Sequence, residues 1–106
     1  MSFTTTELTV DGQPRPAAGG SSFTLSFTDG RANADFGCNS GSGAYRIEDG
    51  VLVLEELSTT RMACDGELGD QDTFMNELLM GSPAVELDGD QLTLTGTRIV
   101  FTATKA

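Results

Sequence analysis

The run Phe23-Thr24-Leu25-Ser26-Phe27-Thr28-Asp29-Gly30-Arg31-Ala32-Asn33-Ala34-Asp35-Phe36 decides the fold. Apolar and polar residues alternate on both sides of Asp29-Gly30, the period of a strand with one dry face. Asp-Gly suits a two-residue hairpin loop, because glycine, and to a lesser degree aspartate, tolerates the positive φ of that turn. With this loop Thr28 faces Arg31, Phe27 faces Ala32, Leu25 faces Ala34 and Phe23 faces Phe36. All the apolar residues then share one side, and a slip of one residue would reverse every side chain.

The same construction extends along the chain. At Asp49-Gly50 it pairs Ile47 with Leu52 and Tyr45 with Leu54, leaving Arg46 and Glu48 on the other face. At Gly96-Thr97 it pairs Leu94 with Ile99 and Leu92 with Phe101. Asp11-Gly12 and Asp88-Gly89 mark further turns. Between Glu56 and Ala84 the period changes: Phe74, Met75, Leu78 and Leu79 stand at helical spacing. Asp70 and Asp72 precede them, and Gly81 and Pro83 follow, as at the two ends of a helix.

Strands are therefore expected near residues 3–10, 22–28, 31–36, 43–48, 51–56, 84–87, 91–95 and 98–103, with one helix of about three turns inserted after the fifth. Residues 14–20, PRPAAGG, read as a flexible loop. The expected fold class is mostly β with one helix: a small antiparallel barrel or rolled sheet of about eight strands, its interior filled by side chains.

The chain of 106 residues is long enough for one core, so residues 1–106 are expected to form a single domain. Sixteen acidic and six basic side chains give a net charge of -10. With no basic block, nucleic acid and anionic membrane surfaces are disfavoured as partners. No apolar run approaches the ~20 residues needed to cross a bilayer, and the first residues show no basic segment followed by a hydrophobic stretch, so no signal sequence is expected within this chain. Histidine is absent, which removes Ser-His-Asp and Cys-His catalysis and imidazole metal sites.

Three separated blocks carry a family resemblance. Phe36-Gly37-Cys38-Asn39 is followed by Ser42-Gly43-Ala44-Tyr45; next comes Ser58-Thr59-Thr60-Arg61-Met62-Ala63-Cys64; and after Gln71-Asp72 comes Leu87-Asp88-Gly89-Asp90-Gln91-Leu92-Thr93-Leu94. Their order and spacing over roughly residues 22–104 resemble the META, or HslJ-like, domain. The resemblance implies a lipocalin-like β-barrel with one helix, found in bacterial envelope or secreted proteins, frequently lipoproteins and sometimes tandem copies. It also implies ties to heat shock and antibiotic resistance, with no established catalytic residues. Members commonly open on a tryptophan-containing strand, whereas this chain opens on Phe3-Thr4-Thr5-Thr6-Glu7-Leu8, the pattern of a downstream tandem copy. The expected location is extracytoplasmic: periplasmic, cell-surface lipoprotein or secreted.

Cys38 and Cys64 admit three readings. Two cysteines without histidine would need two carboxylates to complete a zinc site. A nucleophilic thiol could use Arg61 to lower its pKa, but no base suited to neutral pH can be named. A disulfide closing a loop of about 27 residues would stabilise the fold by roughly 3.5 kcal/mol, and this staple is the expectation. Asn39 either offers its amide to a partner or satisfies backbone groups locally. Arg61 has Asp35, Glu55 or the ring of Tyr45 as candidate partners. Asp88 and Asp90 lack the ligand spacing of an EF-hand loop. The Phe74, Met75, Leu78, Leu79 stripe is expected core.

The function expected is a non-enzymatic binding or scaffolding role in stress tolerance, with no catalytic residue, cofactor or metal. Asn39, Tyr45 and Arg61 are the candidate binding or structural loop. The partner would be an unidentified protein or a small apolar ligand, and the domain a monomer. Two alternatives stand: a carrier holding a small apolar ligand in the barrel, and an extracellular protein-binding module such as a protease inhibitor, using the loops around Asn39 or residues 14–20.

Overall fold

A computed structural model describes residues 1–17, 21–60 and 63–105. In chain order the elements are β1 (Ser2–Thr5), β2 (Glu7–Val10), β3 (Gln13–Pro16), β4 (Phe23–Thr28), β5 (Arg31–Asp35), β6 (Ser40–Glu48), β7 (Val51–Thr59), α1 (Gly66–Met80), β8 (Ala84–Asp88), β9 (Gln91–Thr95) and β10 (Ile99–Lys105). The strands pair antiparallel in the order β1-β4-β5-β6-β7-β8-β9-β10, and β10 returns to β1, closing an eight-stranded barrel. The β2–β3 hairpin extends the sheet from the other part of β10.

The helix thus follows the seventh strand in sequence, not the fifth, although it occupies the expected stretch between Thr59 and Ala84. Two features raise the count. The expected strand 3–10 is broken at Thr6. Thr4 lies opposite Thr104 and Leu8 opposite Phe101, so the register against β10 moves by one residue. This extra residue lets Phe3 and Leu8 both face inward despite opposite parity, and directs β1 toward β4 and β2 toward β3. The second feature is β3, within the segment expected to be a flexible loop. Pro14 and Pro16 cannot donate to a ladder, and β3 has a neighbour on one side only, the position where a strand accepts proline. The remainder of that expected loop, residues 18–20, lies outside the described residues.

Asp11-Gly12, Asp29-Gly30 and Asp49-Gly50 all have positive φ at both positions, as type I′ turns require. The ladders they fix include Leu25↔Ala34, Phe27↔Ala32, Tyr45↔Leu54 and Ile47↔Leu52, as the alternation predicts. Between β8 and β9 the two-residue loop is Gly89-Asp90, because Asp88 itself pairs with Gln91. At β9–β10 the expected register is wrong by two: Leu94 lies opposite Phe101 and Leu92 opposite Ala103. The N–H of Gly96 donates to the carbonyl of Ile99 within the longer loop, at 2.8 Å. Ile47 also departs from expectation. It is 54% exposed while its cross-strand partner Leu52 is fully buried, so the dry face ends before the β6–β7 turn.

The turn chemistry gives a direct test. A β-carbon on Gly50 would meet nothing within 4 Å, so Gly50→Ala opposes only the backbone, at φ +75°. The expected loss is about 1–2 kcal/mol, read as a lower urea midpoint with an unchanged denaturant slope.

Phe3, Phe23, Phe36 and Phe101 fill the interior with Leu8, Leu25, Leu52 and Leu94, each 1% exposed or less. The wall is thinnest between β7 and β8, whose ladder is the single pair Val51↔Ala84, flanked by Leu52 N–H to the Pro83 carbonyl and Val85 N–H to the Gly50 carbonyl. Helix α1 packs along β7 and reaches β10, burying Met75, Leu78 and Leu79 in the common core. Phe74 is the exception in the expected stripe. It is only partly buried, lying beside Arg15 and Arg98 with guanidinium carbons 5.7 and 5.6 Å from its ring centroid. The helix begins at Gly66, four residues ahead of Asp70. It ends at Gly81 as expected, but the left-handed residue beyond it is Ser82, with φ 52°.

Candidate functional site

The loop between β5 and β6 is held by its own backbone. The N–H of Phe36 donates to the carbonyl of Asn39 at 2.9 Å, and the N–H of Gly37 to Oδ1 of Asp35 at 2.9 Å. Gly37 has φ +100°, and the Nε2 of Gln71 stands where a β-carbon would project. Only glycine satisfies both conditions. Cys38, next in sequence, forms a disulfide with Cys64, their Cα atoms 6.5 Å apart. The bond ties this loop to the segment that enters α1.

Two consecutive helix residues complete the junction. The Nε2 of Gln71, 4% exposed, donates to the carbonyl of Phe36 at 2.7 Å and to Oγ of Ser21 at 3.3 Å. Asp72 accepts from the backbone N–H of Asn39 at 3.3 Å and, in a short hydrogen bond, from its Nδ2. Thr60 donates its hydroxyl to Oδ1 of Asn39 at 2.8 Å and accepts from the N–H of Ser40 at 3.0 Å. Asn39 is only 7% exposed, so its amide faces this network rather than solvent. Among the described residues no buried side-chain nitrogen or oxygen lacks a partner.

Cys38, Cys64 and Asn39 are therefore brought together, whereas Tyr45 is not with them. Its ring packs against Phe27, centroids 4.8 Å apart. Arg61 lies outside the described residues. Of the carboxylates considered for it, Glu55 is paired with Arg46, which also holds Glu48 at 2.9 Å. Gln71, Asp72 and Thr60 are the site residues that sequence reasoning did not single out. The helix starts a turn earlier than expected, so Asp72, read as an acidic residue at its opening, and Gln71 beside it lie inside the helix and stitch it to a loop more than thirty residues away.

Deleting this hub has a defined consequence. Asn39→Ala removes the side-chain partner of Asp72 and of Thr60 at a part-buried position, leaving Asp72 the Asn39 backbone N–H and Thr60 the Ser40 N–H, and the expected loss is about 1–3 kcal/mol, checked by thermal and urea unfolding. Asn39→Asp places a second carboxylate against Asp72, so its loss is expected to be larger at pH 7 than under acid conditions that protonate one of the pair.

The cluster offers no free thiol. Cys38, Cys64 and Asp72 bring three potential ligand atoms within 4.8 Å of one another, yet the sulfurs are bonded to each other, and a metal requires them as thiolates. At the other side of the helix, Arg98 grips Glu77 through two hydrogen bonds of 2.8 and 2.9 Å and reaches Asp11 at 3.1 Å. The hydrogen bond from Arg98 holds the Glu77 carboxyl below the usual glutamate range and raises the guanidinium. What this exposed pair contributes is present above the ordinary glutamate pKa and is lost as pH falls through the lowered value.

Two open hollows flank the junction. One, of about 460 Å³, lies over β4 to β7 and is lined by small polar groups including Thr24, Ser26, Asn33, Asp35, Ser42 and Ser58. The other, of about 430 Å³, lies between β3 and α1.

This arrangement has recognisable relatives. The META domain family model matches residues 2–106. Over 66 residues the chain is 33% identical to heat shock protein HslJ of Escherichia coli (strain K12). That alignment takes in 61% of this chain and 47% of HslJ, about half the length of the curated relative. A protein whose structure was solved by NMR is 27% identical, with a TM-score of 0.77 over 97% of this chain and 86% of its own. A second NMR structure, from Burkholderia xenovorans, is 26% identical, with a TM-score of 0.75 over 99% of this chain and 81% of its own.

Proposed function

Because the chain belongs to the META domain family, we propose that it acts as a non-enzymatic, disulfide-stabilised binding or scaffolding module in stress tolerance, on the bacterial envelope or outside the cell. The observation that carries this reading is the closed hydrogen-bond network around the cystine. Asn39, Asp72 and Thr60 satisfy one another, and both sulfurs are in a disulfide. The polar residues at the junction thus serve rigidity, and the open hollows beside it supply binding surface. A cystine that stabilises a small domain persists in an oxidising compartment, which supports a periplasmic, cell-surface lipoprotein or secreted location. The stress role is taken from the name of the HslJ relative.

Two other readings fit less well. A carrier needs room inside the barrel, but four phenylalanines and several leucines already fill it. A protease inhibitor needs an exposed, rigid loop, whereas Asn39 is buried and residues 14–16 lie in a strand. The experiment is mass spectrometry of gently purified, unreduced protein. A scaffold with a cystine is expected about 2 Da below the reduced formula, the loss of two thiol hydrogens, with no small molecule retained under native conditions. A retained small molecule that is lost on denaturation would overturn this reading in favour of the carrier. A reproducible turnover abolished by one substitution would overturn its non-enzymatic part.

A further inference from the structure

The hollow between β3 and α1 has a specific chemistry. Its floor includes Leu8 and Phe23, each 1% exposed, and its helix side presents Glu67, Asp70 and Phe74. Spacings of three and four residues put these three on one helix face. Arg15 and its flanking prolines form the opposite rim. Glu77, further along α1, is occupied by Arg98, whereas Glu67 and Asp70 make no ion pair among the described residues. The lining therefore carries two uncommitted carboxylates against one guanidinium, on a chain of net charge -10 that attracts cations. The Phe74 ring also shows that it accepts cations: the guanidinium carbons of Arg15 and of Arg98, the latter held by Glu77, stand 5.7 and 5.6 Å from its centroid, within cation–π range.

We propose that this groove docks a segment of a protein partner in which a lysine or arginine adjoins an apolar side chain. The apolar side chain lies toward Leu8 and Phe23, and the cation meets Glu67 and Asp70 beside the Phe74 ring. Recognition runs through side chains rather than strand addition, because Pro14 and Pro16 leave β3 short of N–H donors. Arg15 already stands over the Phe74 ring, so it sets how tightly the segment is held. The proposal rests on the binding role proposed above and names its surface and its partner's chemistry.

The test is an amide-shift titration of the intact, unreduced protein with acetyl-Leu-Lys-Phe-amide, alongside acetyl-Leu-Glu-Phe-amide. The lysine peptide is expected to move Leu8, Phe23, Gln71 and Phe74 at millimolar concentration, and the glutamate peptide to leave them in place. Glu67→Gln combined with Asp70→Asn should weaken the lysine peptide about fivefold, the scale of two exposed ion pairs. Arg15→Ala should tighten it. Both substituted acids are exposed, and the spectrum of the double variant reports directly whether it is folded. Equal response to the two peptides, undiminished binding to the double variant, or no shift in the groove overturns the proposal. Shifts confined to the hydroxyl-lined face over β4 to β7 also overturn it while leaving a binding role intact. Cleavage of the peptide would count against the binding role itself.

Discussion

Serine at both Cys38 and Cys64 is expected to lower the unfolding free energy by about 3.5 kcal/mol. At about 4–8 °C per kcal/mol for a domain near this size, the melting temperature should fall by roughly 14–28 °C. The bond spans 26 positions, and on the chain-entropy model its effect is mainly to restrict the unfolded chain. The folded side of the balance keeps its own supports. Gln71 still reaches the Phe36 carbonyl, and Asp72 still accepts from Asn39. The variant should therefore retain the wild-type amide spectrum below its lowered midpoint, with a steeper denaturant slope because its unfolded state is more open. A midpoint within a few degrees of wild type would show that the hydrogen bonds hold the junction without the cystine. Loss of the folded spectrum at low temperature would show that the bond positions the helix as well as limiting the unfolded chain.

What the sequence made legible follows from the distance over which each signal acts. Asp29-Gly30 and Asp49-Gly50 join strands that are adjacent in the chain, so the turn and the alternation together determined their registers. At Gly96-Thr97 the alternation could not discriminate, since a shift of two residues returns every side chain to the same face. The actual register is set from outside the hairpin: Ile99 pairs with Val10 of β2, and the N–H of Asp11 donates to the carbonyl of Arg98 at 2.8 Å. The break at Thr6 is equally non-local, because it exists to let two halves of one strand serve different neighbours. In the same way Cys38, Cys64 and Asn39 could be singled out by residue type, whereas Asp72 and Gln71 become site residues only when α1 is laid against the β5–β6 loop. Pro14 and Pro16 misled for a physical reason: proline does break most strands, and only the single-sided position of β3 exempts them.

Phe101→Ala is expected to have the largest effect of any single substitution in the barrel, about 3–5 kcal/mol. Phe101 is fully buried, and it lies opposite Leu94 on one side and Leu8 on the other, each 1% exposed or less. Strand β10 pairs with β9 and β2 at Phe101 and with β1 further along, at Thr104 and Lys105, so the backbone at the vacated volume is held on both edges, within a strand carrying three ladders, and has little freedom to collapse inward. A void of this kind, lined by leucine and phenylalanine, stays dry and can take up a small apolar probe such as benzene. The variant should therefore lose stability and gain benzene-dependent recovery of its melting temperature, while the wild-type protein, already filled, should show neither a bound probe nor a shift. If wild type and variant responded to benzene alike, the interior would hold usable space without any deletion, and a ligand carried inside the barrel would displace the scaffold reading. If Phe101→Ala cost less than about 1 kcal/mol, the walls would have to close over the gap, and the three ladders on β10 would not be the rigid frame on which both the filled core and the junction at Cys38 depend.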